Sequence, residues 1–382
     1  MVAPAPTDRN ARSRPAGGRL LGRGIRLEPR QASPALQVIA PIGAGIAALA
    51  LAAIPLAFAG APIFTAYGLM VKGAFGSVFA LTETLTRTTP LILTGLAAAV
   101  AFRARLWNIG AEGQLYAGAL AAVAVGAGAV TGPAWILLPL VVLAGAIAGA
   151  LLMLGPALLK LRFGADEVVT TLLINFIMLL FVQMMLEGAL QDPMSLGWPQ
   201  SAPIIDEAAL PPLFGRMRVH SGLLIGLVAV VIVHVMIRHT VWGYEIRAVG
   251  ENASAARYAG IPVNATLIRV ALISGGLAGL AGVGEVAGLK GYLTADLSPG
   301  FGYAGIVVAM LAGLSPLGVI AAALFVAGIF VGADSMSRAI GVSNYLADLV
   351  VAMSLLCVLV GGFVVRYRIR VIGRRPASPG EP

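Results

Sequence analysis

Two carboxylates lie inside apolar stretches of this 382-residue chain, and they are the residues best placed to do chemistry. Glu112 stands within the polar run 108–114, between Gly110 and Gly113, and Glu285 lies in a glycine-rich stretch. An ionisable side chain within a membrane span is energetically costly and points to a solute or ion path. Because glycine weakens a helix, the run 108–114 is interpreted as a helix break whose polar groups face a cavity.

Amide side chains extend this set of candidates. The residues proposed to line a translocation path are Asn108, Glu112, Gln114, Asn175 and Glu285. For the run 108–114 the alternatives are a structural network that ties two helices together, or a loop at the inner surface near Arg103 and Arg105. For Asn175 the alternative is a hydrogen bond between helices. The glycines around Glu285 favour close helix packing, because they form the small-xxx-small pairs Gly275/Gly279 and Gly284/Gly288.

Several other chemistries are excluded by the motifs that the sequence lacks. His220, His234 and His239 are the only histidines, and they lack metal-site spacing. Cys357 is the single cysteine, which rules out a disulfide framework. The sequence contains neither a phosphate-binding loop nor a nucleophile elbow. We therefore predict no catalytic residue, no metal and no cofactor bound by this chain.

The elements that must position these residues are membrane helices. Hydrophobic residues make up 59% of the chain and charged residues only 11%, against about 25% in soluble domains. Apolar runs recur near the ~20 residues that cross a bilayer. We predict an all-α, polytopic membrane protein with about ten spans, some broken or re-entrant, at 36–60, 84–101, 115–131, 133–158, 168–188, 221–238, 267–289, 302–314, 318–333 and 345–365.

The net charge of +9 is concentrated at the two ends of the chain. Residues 1–35 are predicted to be a disordered basic tail, residues 36–365 the membrane domain and residues 366–382 a second basic tail. The positive-inside rule places both termini in the cytoplasm, the loop 189–220 outside and the loop 238–266 inside. The basic ends are expected to contact anionic lipid, and no nucleic-acid reader is recognisable.

The inner loop contains a short capped helix within residues 247–262. Asn252 or Ser254 can cap its first turn, Gly260 can take the left-handed position after its last turn, and Pro262 prevents continuation. Such a short helix needs a partner surface to stay ordered. The alternative is an ordinary loop helix. The predicted docking residues are Arg247, Gly250, Glu251, Asn252, Ser254, Ala255, Ala256, Arg257, Gly260, Ile261 and Pro262.

These segments resemble the permeases of ATP-binding-cassette (ABC) importers, specifically those for nucleosides and simple sugars. The pattern Ala255-Ala256-x-x-x-Gly260 is similar to the core of that family's cytoplasmic loop, although Ser254 stands where the family usually has Glu. The resemblance covers about residues 84–365 and is carried in order by 89–96 (TPLILTGL), 102–114 (FRARLWNIGAEGQ), 166–175 (DEVVTTLLIN) and 297–306 (LSPGFGYAGI). The last segment adds Phe301 to the translocation-path candidates.

The resemblance implies a multi-pass protein of the bacterial inner membrane that moves solute by alternating access. Its implied partners are a second permease, identical or related, a cytoplasmic ATPase that binds ATP and Mg²⁺, and an extracytoplasmic solute-binding protein. The chain itself would not be an enzyme. The alternative from a different class is a stand-alone secondary transporter, which would use intramembrane carboxylates such as Glu112 and Glu285 to couple an ion gradient.

Overall fold

The computed structural model describes residues 24–29, 34–215 and 217–372. Apart from two short strands, the regular structure of the described chain is helical. The α-helices are α1 Pro34–Phe58, α2 Ile63–Phe75, α3 Val78–Arg103, α4 Ala111–Gly126, α5 Ala134–Phe163, α6 Glu167–Leu186, α7 Gly222–His239, α8 Val241–Glu251, α9 Ala253–Tyr258, α10 Val263–Val283, α11 Phe301–Leu311, α12 Pro316–Ile340 and α13 Asn344–Arg366. A π-helical segment, Gly284–Lys290, continues α10.

The two strands join the ends of the described chain. Strand β1 (Gly24–Pro29) pairs antiparallel with β2 (Tyr367–Ile372), and Gly24 lies opposite Ile372. The prediction of a disordered tail over 1–35 is therefore wrong for residues 24–29, where partner strand β2 supplies backbone hydrogen bonds that local sequence does not reveal. The rest of that predicted tail up to residue 33, and residues 373–382 of the other tail, lie outside the described residues.

Each of the ten predicted apolar segments coincides with a helix, but not every helix can cross a membrane alone. Seven described helices are long and apolar enough to do so, or eight if the bent pair Ile46–Phe58 and Ile63–Phe75 counts as one span. The angle within that pair is 118°. Helices α4 and α11, with 16 and 11 residues, are shorter than a full span. The protein is a multi-pass helical membrane protein, and the count of ten stays a prediction.

Helix α10 packs against α3, α4 and α5 at the centre of the molecule. Glycines allow the close approach to α5: a Cβ added at Gly275 would lie 2.4 Å from the carbonyl oxygen of Gly149, and one at Gly279 would lie 2.3 Å from that of Gly145. This confirms that Gly275 and Gly279 form one packing face. Because glycine has no side chain, the backbones of α10 and α5 approach within van der Waals contact.

The outer helices leave apolar surface uncovered. Helix α6 buries one stripe that includes Thr171, Asn175, Met178, Val182 and Leu186, and most of its other side chains are exposed. The buried positions recur every three to four residues, as expected for one face of a helix. In a bilayer the exposed aliphatic face needs no protein partner, because lipid tails are themselves apolar.

Candidate functional site

A non-helical break at residues 104–110 precedes α4, and the amide side chains of Asn108 and Gln114 are hydrogen-bonded to each other. The Nδ2 atom of Asn108 donates to Oε1 of Gln114 at 2.9 Å, and Nε2 of Gln114 donates back to Oδ1 of Asn108 at 2.9 Å. Asn108 Nδ2 also donates to Oγ of Ser274 at 2.9 Å, and that hydroxyl donates to the carbonyl oxygen of Ala97 at 2.8 Å. These contacts tie the break to α3 and α10.

Asn175 connects α6 to the same break. Its Oδ1 accepts from the backbone N–H of Gly113 at 2.8 Å. Its Nδ2 donates to the carbonyl oxygen of Ile109 at 2.9 Å and to Oη of Tyr303 at 3.2 Å. Because its three polar contacts are all made to other elements of this chain, the geometry favours the alternative of a hydrogen bond between helices.

Glu112 lies between the N-termini of two helices. It stands in the first turn of α4, and its Oε2 accepts from the backbone N–H of Gly302, in the first turn of α11, at 2.6 Å. A Cβ at Gly302 would lie 2.2 Å from the backbone nitrogen of Glu112, so the two helix ends are in direct contact. The positive ends of both helix dipoles stabilise the carboxylate. The arrangement supports the structural-network interpretation of Glu112.

Replacing Glu112 with alanine is therefore expected to lower membrane abundance and uptake in parallel. The substitution leaves the buried N–H of Gly302 without an acceptor, which costs about 1–3 kcal/mol. Quantitative immunoblotting of membranes beside uptake measures both quantities. Glu112→Gln, which keeps an acceptor oxygen, should restore most of the abundance. Normal abundance with lost uptake in Glu112→Ala would instead support a direct role in the solute path.

Glu285 and Phe301 occupy a different place from this network. Both line a cavity of about 430 Å³, which we call the charged cavity. It lies between the start of α3, the end of α12, the π-helical segment and the loop before α11. Its polar and charged lining comprises Glu83, Thr86, Arg87, Arg218, Glu285, Lys290, Asp296, Ser298, Asp334, Arg338, Asn344 and Asp348. Apart from Glu285, none of these polar and charged residues is among the predicted translocation-path residues.

The inner loop contains two helices, of which the second is the predicted capped helix. Asn252 caps α9, because its Oδ1 accepts from the backbone N–H groups of Ser254 and Ala255, each at 3.0 Å. Gly260 has the left-handed φ of +83° predicted for it. Pro262 does not merely end α9, since it is also the residue that precedes α10.

The predicted docking residues divide into anchored and exposed groups. Arg247 donates to the carbonyl oxygen of Ile237, Gly250 packs against the backbone of Arg103, and Ala256 is buried. Ile261 is half-buried. The others are exposed: Glu251, Asn252, Ser254, Ala255, Arg257, Gly260 and Pro262. Tyr258, which is not among the predicted docking residues, is 95% exposed and follows Arg257 in the chain.

No group of three or more His, Cys, Asp or Glu side chains among the described residues could hold a metal ion.

Residues 80–359 match the family model described as branched-chain amino acid transport system / permease component. The chain is similar to the glucose ABC transporter permease protein of Haloferax volcanii, with 38% identity over 358 residues, 91% of this chain and 94% of the relative. It is similar to two guanosine ABC transporter permease proteins of Bacillus subtilis. One is 36% identical over 348 residues, 89% of this chain and 98% of the relative. The other is 29% identical over 252 residues, 63% of this chain and 77% of the relative. No solved structure matches the chain.

Proposed function

The chain belongs to the permease family of ABC importers, and from this membership we propose its partners, its orientation and its solute. It is the membrane-spanning permease subunit of such an importer, which confirms the predicted resemblance. We propose that a separate cytoplasmic ATPase binds ATP and Mg²⁺ and docks on the exposed part of the inner loop. The stand-alone secondary transporter is not retained, because the family match covers most of the chain.

The observation that carries the docking proposal is the exposure of α9. This helix has six residues and buries only Ala256, so the rest of its surface is free to contact a partner. Helices this short are marginal in isolation, and a docked ATPase would stabilise α9. Arg257 and Tyr258 offer a cation and an aromatic ring, both residue types that are enriched at protein interfaces.

The inner loop is also well connected to the core, as an element that transmits motion must be. A Cβ at Gly250 would lie 2.0 Å from the carbonyl oxygen of Arg103, and Nη2 of Arg103 donates to the carbonyl oxygen of Leu314 at 2.6 Å. Arg269 of α10 pairs with Glu245 of α8 at 2.9 Å. Helix α9 packs against α8, so a displacement by the ATPase would move α3, α10 and the segment before α12 together, and alternating access would follow from that motion.

Cysteines in the inner loop are expected to crosslink to the ATPase according to their exposure. Ala255→Cys and Tyr258→Cys should crosslink, whereas Ala256→Cys should not, because its side chain is 4% exposed. Leu196→Cys, in the loop proposed to lie outside, is the control for sidedness, since Leu196 is 99% exposed. Crosslinked bands are read by immunoblot. Equal crosslinking from Ala255 and Ala256, or any from Leu196, would contradict the docking geometry.

Orientation follows from this docking. We propose ten spans, counting the half-spans α4 and α11, with both termini in the cytoplasm and residues 189–220 outside the bacterial inner membrane. The excess of Lys and Arg in the loops assigned to the inside supports this arrangement. The same cysteines test it: a membrane-impermeant thiol reagent applied to whole spheroplasts should label Leu196→Cys and spare Tyr258→Cys.

We propose a nucleoside or simple sugar as solute, delivered by an extracytoplasmic binding protein. The relatives named for guanosine and for glucose support this class. We propose further that the second permease is a related, non-identical chain, since two guanosine permease proteins of one organism both resemble this chain but to different degrees. Purified transporter should then contain two permeases of different mass in equal amounts.

A further inference from the structure

Glu285 is held in place by close packing of the π-helical segment. A Cβ at Gly288 would lie 2.2 Å from Nδ1 of His220, so the imidazole ring rests directly on this segment. Burial lowers the pKa of His220 to about 4, and the ring is therefore neutral and provides no counter-charge for Glu285. π-Helical turns inside α-helices are found frequently at functional sites.

One oxygen of the Glu285 carboxylate accepts no hydrogen bond from the described residues. Its side chain is 2% exposed, and its Oε1 atom has no hydrogen-bond partner among the described residues. A buried acceptor without a donor is costly, and the cost is removed when a ligand supplies the donor. Glu285 is one of the residues that line the charged cavity, so its carboxyl group borders the space that a ligand would occupy.

Three cations around the charged cavity already have partners. Arg87 pairs with Asp334 at 2.8 Å, and Arg218 pairs with Glu83 at 3.1 Å. Nζ of Lys290 donates to the carbonyl oxygen of Asp296 at 3.0 Å. Five acidic and four basic side chains line the cavity, so it has no excess of positive charge to attract an anion.

From these observations we infer that the charged cavity is a solute site for a neutral, hydroxyl-bearing molecule, and that Oε1 of Glu285 accepts a hydrogen bond from a solute O–H or N–H group. The volume of about 430 Å³ lies within the ~300–1,000 Å³ typical of small-molecule sites. Nucleosides and sugars share the required hydroxyls. The inference rests on the proposed function, because it assumes that solute crosses the membrane through this chain.

The test measures how a bound solute protects a cysteine in the charged cavity. Leu289→Cys places a half-buried thiol in its lining, and the native Cys357 is buried away from it. The assembled permease–ATPase complex in nanodiscs is treated with a methanethiosulfonate reagent in the presence of guanosine, glucose, other neutral nucleosides and monosaccharides, or inorganic phosphate. At least one neutral solute should slow the reaction several-fold, and phosphate should not.

The role of Glu285 is tested by repeating this measurement on substituted complexes. In Glu285→Gln the solute concentration that gives half-protection should rise about tenfold, since the amide oxygen that replaces the carboxylate oxygen is a weaker hydrogen-bond acceptor. Glu187→Gln is the matched control, because Glu187 is exposed and lies outside the cavity. In Glu187→Gln the solute should protect the cysteine as it does in the parent protein.

Protection by phosphate alone, the absence of protection by every neutral solute, or protection unchanged in Glu285→Gln would each overturn the inference. If Glu285→Gln is poorly assembled, Glu285→Asp, which keeps the charge but shortens the side chain, is measured in its place and should still show weakened protection. Crosslinking of Ala255→Cys to the ATPase, measured on the same complex, tests the proposed function separately. Intact crosslinking without solute protection overturns only the solute site.

Discussion

Replacing Gly260 with valine is expected to abolish both ATPase retention and uptake while membrane abundance stays near that of the parent. Gly260 has φ +83°, and a β-branched residue held in this region costs about 1–3 kcal/mol. Nothing lies within 4 Å of the position of an added Cβ, so the core is undisturbed. The strain would distort α9, because a helix of six residues has little stability of its own. Co-purification in detergent and solute uptake measure the two losses.

Gly341→Val is the matched control for this experiment. Gly341 follows the last turn of α12, has φ +76° and likewise has nothing within 4 Å of an added Cβ. It lies at the opposite end of α12 from Leu314, which precedes this helix and accepts a hydrogen bond from Arg103, so its strain should leave ATPase retention intact. Full retention in Gly260→Val, or equal loss in both variants, would remove the support for docking at α9.

Replacing Gly282 with alanine is expected to be the most damaging conservative change within the membrane. A Cβ at this position would lie 1.9 Å from the carbonyl oxygen of Leu115 and 2.7 Å from the backbone nitrogen of Ala119. Both are backbone atoms of α4, so the clash is relieved only by separating α10 from α4. Overpacking lowers the free energy of unfolding by about 1–3 kcal/mol, occasionally more, and a clash with backbone atoms is expected at the upper end of this range. Membrane abundance and the thermal midpoint should both fall sharply.

Gly276→Ala provides the comparison on the same helix. Its added Cβ would have the carbonyl oxygen of Ala146 at 3.4 Å as its nearest neighbour, which is ordinary contact. Alanine is favoured over glycine in a helix interior by about 1 kcal/mol, so abundance should be unchanged or slightly higher. If Gly276→Ala and Gly282→Ala behaved alike, helix propensity and not the α10–α4 contact would decide the outcome.

A membrane sequence shows which buried polar residues are energetically costly, but it does not show what each of these residues does. Glu112 and Glu285 are both carboxylates flanked by glycines and are both buried. Glu112 meets the N–H of Gly302, 190 positions away in the chain, whereas Oε1 of Glu285 meets no donor in the described residues. No local pattern carries this difference, because it depends on which helix ends come together.

The sequence by itself determined the helical membrane class, the resemblance to the permease family of ABC importers and the capped helix with its left-handed Gly260. These features depend on apolar run length and on contacts between near neighbours, such as Asn252 with the N–H groups two and three residues later. Tertiary structure alone decided that Arg247 and Gly250 anchor the loop, that Ala256 is buried, and that the 24–29 segment pairs with 367–372. The physical reason is that these contacts depend on how separate helices and strands come together, which apolar run length and local capping do not specify.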